Sequence, residues 1–318
     1  MQSGERLGRY TLMERISEGF PGPRWAAHDG STAPDRLLSL RRLETDRLGD
    51  PEAVHRLASA AFWAMDLAHD HVHALKDVVA TGGQLALVGP YVEGETLRAA
   101  LRRAHRERTP FPPGVVVRIG LDLLQGLRSI QQAANRDGDP ECMRYAAGGI
   151  NPDGVLIGLD GVTRVIDAGV SAVASAEPAW TRDPVRAGYH APERFGGMPL
   201  DGRSDIFVLG VVIWEMLALE HLFPGLRSEH VAEALWAREI PPLHDVARGA
   251  DLPWGMAEVV HRALEREPED RFQDYTELES ALQALNCCAT SVEVGDFVRA
   301  VGGRLARERR ERLGTEAR

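Results

Sequence analysis

The chain has 318 residues, 44% apolar and 26% charged, with a formal net charge of −10. That balance suits an ordinary soluble globular protein of one two-lobed or two small domains. It argues against nucleic acid or an anionic membrane as the main partner, since both favour a basic surface. Three cysteines, Cys142, Cys287 and Cys288, show no metal-ligand spacing and fit incidental thiols in a reducing cytoplasm.

The first ten residues lack the apolar core of a signal peptide. Residues 1–9 are read as an N-terminal tail. Arg9 to Ile16 alternates like a strand, and Leu37 to Leu43 follows as another. Pro51 to Ala68 reads as a helix, with Pro51 suited to a first turn. Ala74 to Ala80 and Gln84 to Tyr91 are strand-like runs separated by Thr81-Gly82-Gly83.

From Thr96 the period turns helical: Leu97, Leu101 and Ala104, then Val116, Ile119, Leu123, Leu127 and Ile130. A polar loop, Asn135 to Glu141, precedes two short strands, Gly154 to Gly158 and Val162 to Ile166, joined by the turn Leu159-Asp160-Gly161. Helices resume near Arg203 and run to about Leu285. The apolar run Phe207 to Leu219 contains Glu215 and falls short of the roughly 20 residues a membrane span needs. Residues 286–318 end in a basic amphipathic helix. Phe297, Val298, Val301 and Leu305 form its stripe, with Arg299, Arg304, Arg307, Arg309, Arg310 and Arg312 around them. It reads as a helix packed on the last lobe with a solvated end, or as a docking tail for an acidic partner.

The stretch GYHAPERFGGMPLDGRSDIFVLGVVIWE, Gly188 to Glu215, resembles the end of the activation segment and the following buried helix of serine/threonine protein kinases. Ala191-Pro192-Glu193 stands as the APE triplet, and SDIFVLG carries Asp205. PEDRF supplies Arg271, which the resemblance pairs with Glu193 in a buried bidentate bridge. LVGPYVEGETL looks like a kinase hinge, and Ile166-Asp167-Ala168-Gly169 takes the DFG position. The resemblance implies an α+β, two-lobed kinase fold of bacterial type over residues 10–285. The β-rich small lobe would cover about 10–91 and the helical large lobe about 92–285. Glu193, Arg271 and Asp205 have architectural roles in it.

Judged by the same resemblance, the chemistry is depleted. The glycine-rich loop falls in ISEGFPGPRW, keeping Gly19 and Gly22 but holding Ser17 at its first glycine position. Pro21 and Pro23 remove two backbone N–H donors that a phosphate cradle uses. Arg24 stands where a small apolar residue roofs the adenine. The third-strand lysine position holds Arg41, and the only lysine of the chain is Lys76. Arginine keeps the charge but not the compact ammonium. The partner glutamate position holds Ala60. The HRD triplet falls on Ala147, Gly148 and Gly149, so Gly149 replaces the base aspartate, and Gly154 replaces the metal-binding asparagine. Asp153 is one residue away, but it is discounted as a substitute because a one-residue shift alters side-chain direction. Asp167 survives as one magnesium ligand, vestigial and weak by itself. Val92 could still present its N–H to a ring at the hinge. Gly89 would leave space behind it unless a neighbour fills it. Ala147 and Ala168 would leave a void for Met65 or Phe62 to fill.

The expectation is therefore a pseudokinase, not an enzyme, with no cofactor beyond weak ATP and magnesium. It would be cytoplasmic and would bind a protein such as an active kinase or that kinase's substrate. The alternative is a weak or atypical ATP-dependent serine/threonine kinase.

Overall fold

Alternation of apolar and polar residues folds the small lobe into a six-stranded antiparallel sheet. Its strands are β1 (Arg6–Leu7), β2 (Tyr10–Ser17), β3 (Arg24–Asp29), β4 (Leu37–Leu43), β5 (Asp77–Thr81) and β6 (Gln84–Pro90), in the order β1-β2-β3-β4-β6-β5. Arg6 and Leu7, placed in the tail by the sequence reading, pair with Thr11 and Tyr10. The computed structural model describes residues 3–31, 37–45, 50–81, 83–138, 149–177, 184–224, 228–247 and 251–316.

One face of the sheet buries Tyr10, Leu12, Trp25, Ala27, Leu38 and Leu40. The intervening residues of β3 and β4, including Arg24, Ser39 and Arg41, therefore lie on the opposite face. That face meets α1 (Pro51–Ala64), where Leu57, Ala60 and Ala61 are fully buried. Asp50 caps α1 by accepting from the Glu52 amide, and Pro51 opens it.

A short strand, β7 (Gly94–Thr96), leads from the small lobe into α2 (Leu97–Glu107). Thr96 caps α2 through the Ala99 amide. The long α3 (Pro113–Asp137) ends where Gly138 turns left-handed at φ 65°. β8 (Val155–Gly158) and β9 (Thr163–Val165) complete a small sheet with β7. Short helix α4 (Val170–Ala176) then packs against α1.

The buried helix is α5 (Gly202–Ala218), whose residues from Ser204 onward are all buried. The helix is buried on every side, and its start is held by a reciprocal Asp201–Ser204 capping box. Helices α6 (Ser228–Ala237), α7 (Met256–Ala263) and α8 (Tyr275–Ala284) follow in the large lobe. No helix of the described residues is long and apolar enough to cross a membrane.

The last helix, α9 (Ser291–Glu316), does not stop at the large lobe. It packs against β7, β8, α2 and α3 through Val294, Val298 and Val301. Its far end places Leu313 against Met13 and Ala26 of the small lobe. Arg309 donates to the Ile16 carbonyl, and Arg312 pairs with Glu14 at 2.6 Å.

Candidate active site

The cleft between the lobes collects most of the residues that the sequence singled out. Arg41 reaches it from β4, because Leu38 and Leu40 occupy the other face of the sheet. Its Nη1 donates to the carbonyls of Phe20 and Gly22, each at 2.8 Å, and of Gly19 at 3.2 Å. Its Nε lies 2.6 Å from Asp167 Oδ2. One guanidinium thus holds the glycine-rich loop down onto the surviving aspartate. Asp167 itself sits at φ 56°, an uncommon conformation for a residue with a side chain.

Arg24, which could have turned out to solvent from its place at the adenine roof, stays inside the lobe. It pairs across the strands with Arg41, is 3% exposed, and donates through Nε and Nη2 to Ser39 Oγ at 3.2 and 3.1 Å. Burial, with the neighbouring Arg41, pulls its guanidinium down to about 10. Gly22 must lack a side chain, because a Cβ there would overlap the Arg42 carbonyl.

The space behind Gly89 is closed. A Cβ on Gly89 would lie 2.5 Å from the His73 ring and 2.6 Å from the Ala74 carbonyl oxygen. His73 Nε2 meets the Pro90 carbonyl at 2.8 Å. Burial pushes this imidazole down to about 4, so the ring is neutral at pH 7. Val92 is half-buried in the hinge between Tyr91 and Glu93.

No acid replaces Ala60 on α1; the connection runs in the opposite sense. Arg56 of α1 donates Nε and Nη2 to Glu177 Oε1, at 3.1 and 2.8 Å, from the segment after α4. The expected filling of a void beside Ala168 is corrected in one respect: Phe62 is 56% exposed and fills nothing, while Met65 packs against the main core. Ala147 lies outside the described residues. Gly149 is pressed against α4, where a Cβ would lie 2.7 Å from the Ala172 amide nitrogen. Gly154 has space around it. Asn151 organises this turn, accepting from the amides of Asp153 and Gly154 and donating to the Gly149 carbonyl.

Asp153 projects from that turn toward the glycine-rich loop. A Cβ on Gly19 would sit 2.6 Å from Asp153 Oδ1, so only glycine lets the carboxylate approach so closely. Arg98 of α2 approaches it at 3.4 Å. Asp153, Gly19, Arg41 and Asp167 form one chain of contacts across the cleft. Among the described residues no group of three or more histidines, cysteines, aspartates or glutamates stands ready as a metal cage.

The architectural residues pair as the resemblance implies. Arg271 Nη1 and Nη2 meet Glu193 Oε1 and Oε2, both at 2.8 Å. Arg271 also donates to the carbonyls of Arg203, Glu265 and Arg266, and Ser204 Oγ donates to Glu193. Asp205 is fully buried and accepts from the Tyr275 hydroxyl at 2.8 Å.

Sequence reasoning missed His73, Arg98, Arg186 and Glu177. The spacing of Arg98, Arg102 and Arg103 along α2 is the one local signal that could have pointed to them.

Comparison with known proteins sets these observations in context. A family model described as protein kinase domain matches residues 63–285. The tyrosine-protein kinase MasK of Myxococcus xanthus is 29% identical over 282 residues, 87% of this chain and 43% of that protein. Serine/threonine-protein kinase PknL of Mycobacterium tuberculosis is 28% identical over 281 residues, 87% of this chain and 65% of that protein. The chain thus spans less than two thirds of the length of these relatives. The crystal structure of the M. tuberculosis PknI kinase domain superposes with a TM-score of 0.68 at 21% identity, over 90% of this chain and 99% of that one. The expectation that the chain is not an enzyme is corrected here, because its relatives are named as kinases and the family model is present. With a small β-rich lobe, a helical large lobe and this match over more than half its length, the chain belongs to the protein kinase domain family.

Proposed function

We propose that the chain is an atypical ATP-dependent serine/threonine protein kinase, working slowly from a cleft that its own arginines hold closed. The observation that carries this reading is the pair of carboxylates at the glycine-rich loop: Asp153 against Gly19, and Asp167 tied to the same loop through Arg41.

The donor set fits a triphosphate. Arg41 Nη2 and Arg24 Nη1 are buried without hydrogen-bond partners, and each is a cationic donor suited to phosphate oxygens. Asp167 would hold the magnesium ion. Bound ATP would supply the phosphoryl group for transfer. Asp153 stands where it can accept the proton of a serine or threonine hydroxyl, within the turn that Asn151 fixes. Arg41 balances the charge of Asp167 until a ligand separates them, and Arg24 holds the roof.

Positioning and charge neutralisation carry phosphoryl transfer, and ordinary kinases turn over at about 1–100 per second. Loss of a single well-placed donor costs about 10²–10³ in rate. With Arg41 lacking an acidic partner on α1 and Gly149 lacking a side chain, turnover is expected below about 0.1 per second.

The test is incorporation of radiolabelled phosphate from ATP, over hours, into the protein and a mixed peptide library. Slow label on serine or threonine, lost in both Asp153→Asn and Asp167→Ala, is expected. Label no higher in the parent than in Asp167→Ala would sink the reading. Acid hydrolysis of labelled product would expose phosphotyrosine, were that the residue modified.

A further inference from the structure

A cavity of about 330 Å³ opens between the glycine-rich loop and α2, beside Asp153. Five arginines line it: Arg98, Arg102 and Arg103 of α2, Arg186 from beyond α4, and Arg309 from α9. Three carboxylates face them: Glu18, Glu95 and Asp153. Each carboxylate has a cation near it: Glu18 is paired with Arg15 outside the cavity at 2.8 Å, Asp153 lies 3.4 Å from Arg98, and Glu95 lies 3.7 Å from Arg103, its Oε1 buried without a hydrogen bond.

A positive surplus remains. Five arginines against three acids leave a formal charge of +2 in a concavity, on a chain whose net charge is −10. Two buried donors have no hydrogen-bond partner: Arg98 Nη2 and Arg309 Nε. Arg98 is only 5% exposed. Its Nη1 donates to the Tyr189 hydroxyl at 3.0 Å, and that hydroxyl donates to Glu215, so the guanidinium is fixed in place. Arg186 is stacked over the Phe20 ring at 4.1 Å. Arg102 stands exposed at the rim. A buried, oriented guanidinium with an unused donor costs free energy unless an anion completes it.

We propose that this cavity is a subsite for anionic side chains, carboxylate or phosphate, of a protein substrate whose hydroxyl is presented at Asp153. The proposal rests on the kinase reading for the word substrate; the anion site itself does not. Several guanidiniums at one concavity recognise oxyanions in forked geometry, and they select acidic over neutral peptides by charge. The kinase would therefore prefer serine or threonine flanked by acids.

The test is fluorescence anisotropy on the full chain, without nucleotide, using three labelled peptides that differ only in the residues flanking one serine: glutamine, glutamate or phosphoserine. The two acidic peptides should bind at least tenfold more tightly than the glutamine peptide, with affinity falling as salt rises. Arg102→Glu, at an exposed position, takes the formal charge of the cavity to zero and should abolish that preference without lowering the melting temperature. Phosphoserine binding at least tenfold tighter than glutamate would assign phosphate as the preferred anion, glutamate binding tighter would assign carboxylates, and equal affinities would support a site that takes either. Equal binding of all three peptides, or an Arg102→Glu variant that binds like the parent, overturns the subsite. Absent phosphoryl transfer with intact acidic-peptide binding would instead overturn the kinase reading alone.

Discussion

Arg41 Nε lies 2.6 Å from Asp167 Oδ2, with the two side chains 2% and 6% exposed. The two groups of this cleft best suited to phosphate and metal therefore neutralise one another. A buried pair that loses one member leaves an uncompensated charge and costs about 3–5 kcal/mol. Arg41→Ala is expected to show a loss of that size in urea unfolding. The double variant Arg41→Ala/Asp167→Ala should lose clearly less than the sum of the two single changes. Strict additivity would mean that the pair does not form.

Arg271 and Glu193 form the second buried bridge, here bidentate and supported by three backbone carbonyls and Ser204. Arg271→Ala removes a fully buried guanidinium and should destabilise the large lobe by about 3–5 kcal/mol. Arg271→Lys restores charge without the fork and should recover only part of the loss. An Arg271→Ala protein that melts within a degree or two of the parent would contradict this account.

Two buried histidines set the acid side of the stability profile. Burial pushes His73 down to about 4 and His190 down to about 3, against about 6.5 for a solvated imidazole. Both stay neutral in the fold while the unfolded chain takes up protons below about pH 6.5. Their stabilisation is fully present above pH 6.5 and is lost as pH falls toward 4 for His73 and toward 3 for His190. The slope approaches about 1.4 kcal/mol per pH unit per histidine. Urea midpoints taken from pH 7 to pH 5 should fall steeply, and His73→Gln should flatten the curve.

Leu313 is 1% exposed and packs on Met13 and Ala26. Leu313→Asp puts a charge into that contact and should detach the far end of α9 from the small lobe. Hydrogen exchange should then quicken in the last turns of α9, while amides of α5, buried inside the large lobe, keep their protection. Unchanged exchange near residue 313 would mean that the contact does not hold the helix.

Much of the frame could be read along the chain. Leu37 to Leu43 appears as a strand with those bounds, and Arg271 meets Glu193 as the kinase resemblance implies. Strand β3 escaped because Pro21 and Pro23 precede it and because Arg24 and His28 disturb its alternation. The helix at Pro51 ends at Ala64, four residues earlier than its apolar pattern suggested. The site was legible in residue identity but not in direction. Position showed that Arg41 replaces a lysine; it could not show a guanidinium turned onto three loop carbonyls and Asp167. Nor could it show the arginine-lined cavity, whose members come from α2, from Arg186 and from Arg309, brought together only by tertiary folding. Reading each substitution as a loss led to an expectation of no enzyme, which the kinase relatives correct.

Helix α9 begins beside the Leu159–Gly161 turn, where a Cβ on Gly161 would overlap the Ser291 carbonyl, and ends on β2 and β3. Besides the connection through β7 and the contacts across the cleft, the lobes are thus joined by a strut of 26 residues that spans about 39 Å. A single hinge lets a cleft open by rotation. A strut fixed at both ends makes lobe separation and release of Leu313 parts of one equilibrium. Whatever wedges the lobes apart must loosen the helix end, and whatever captures the loosened helix end must favour the open cleft by the same free energy.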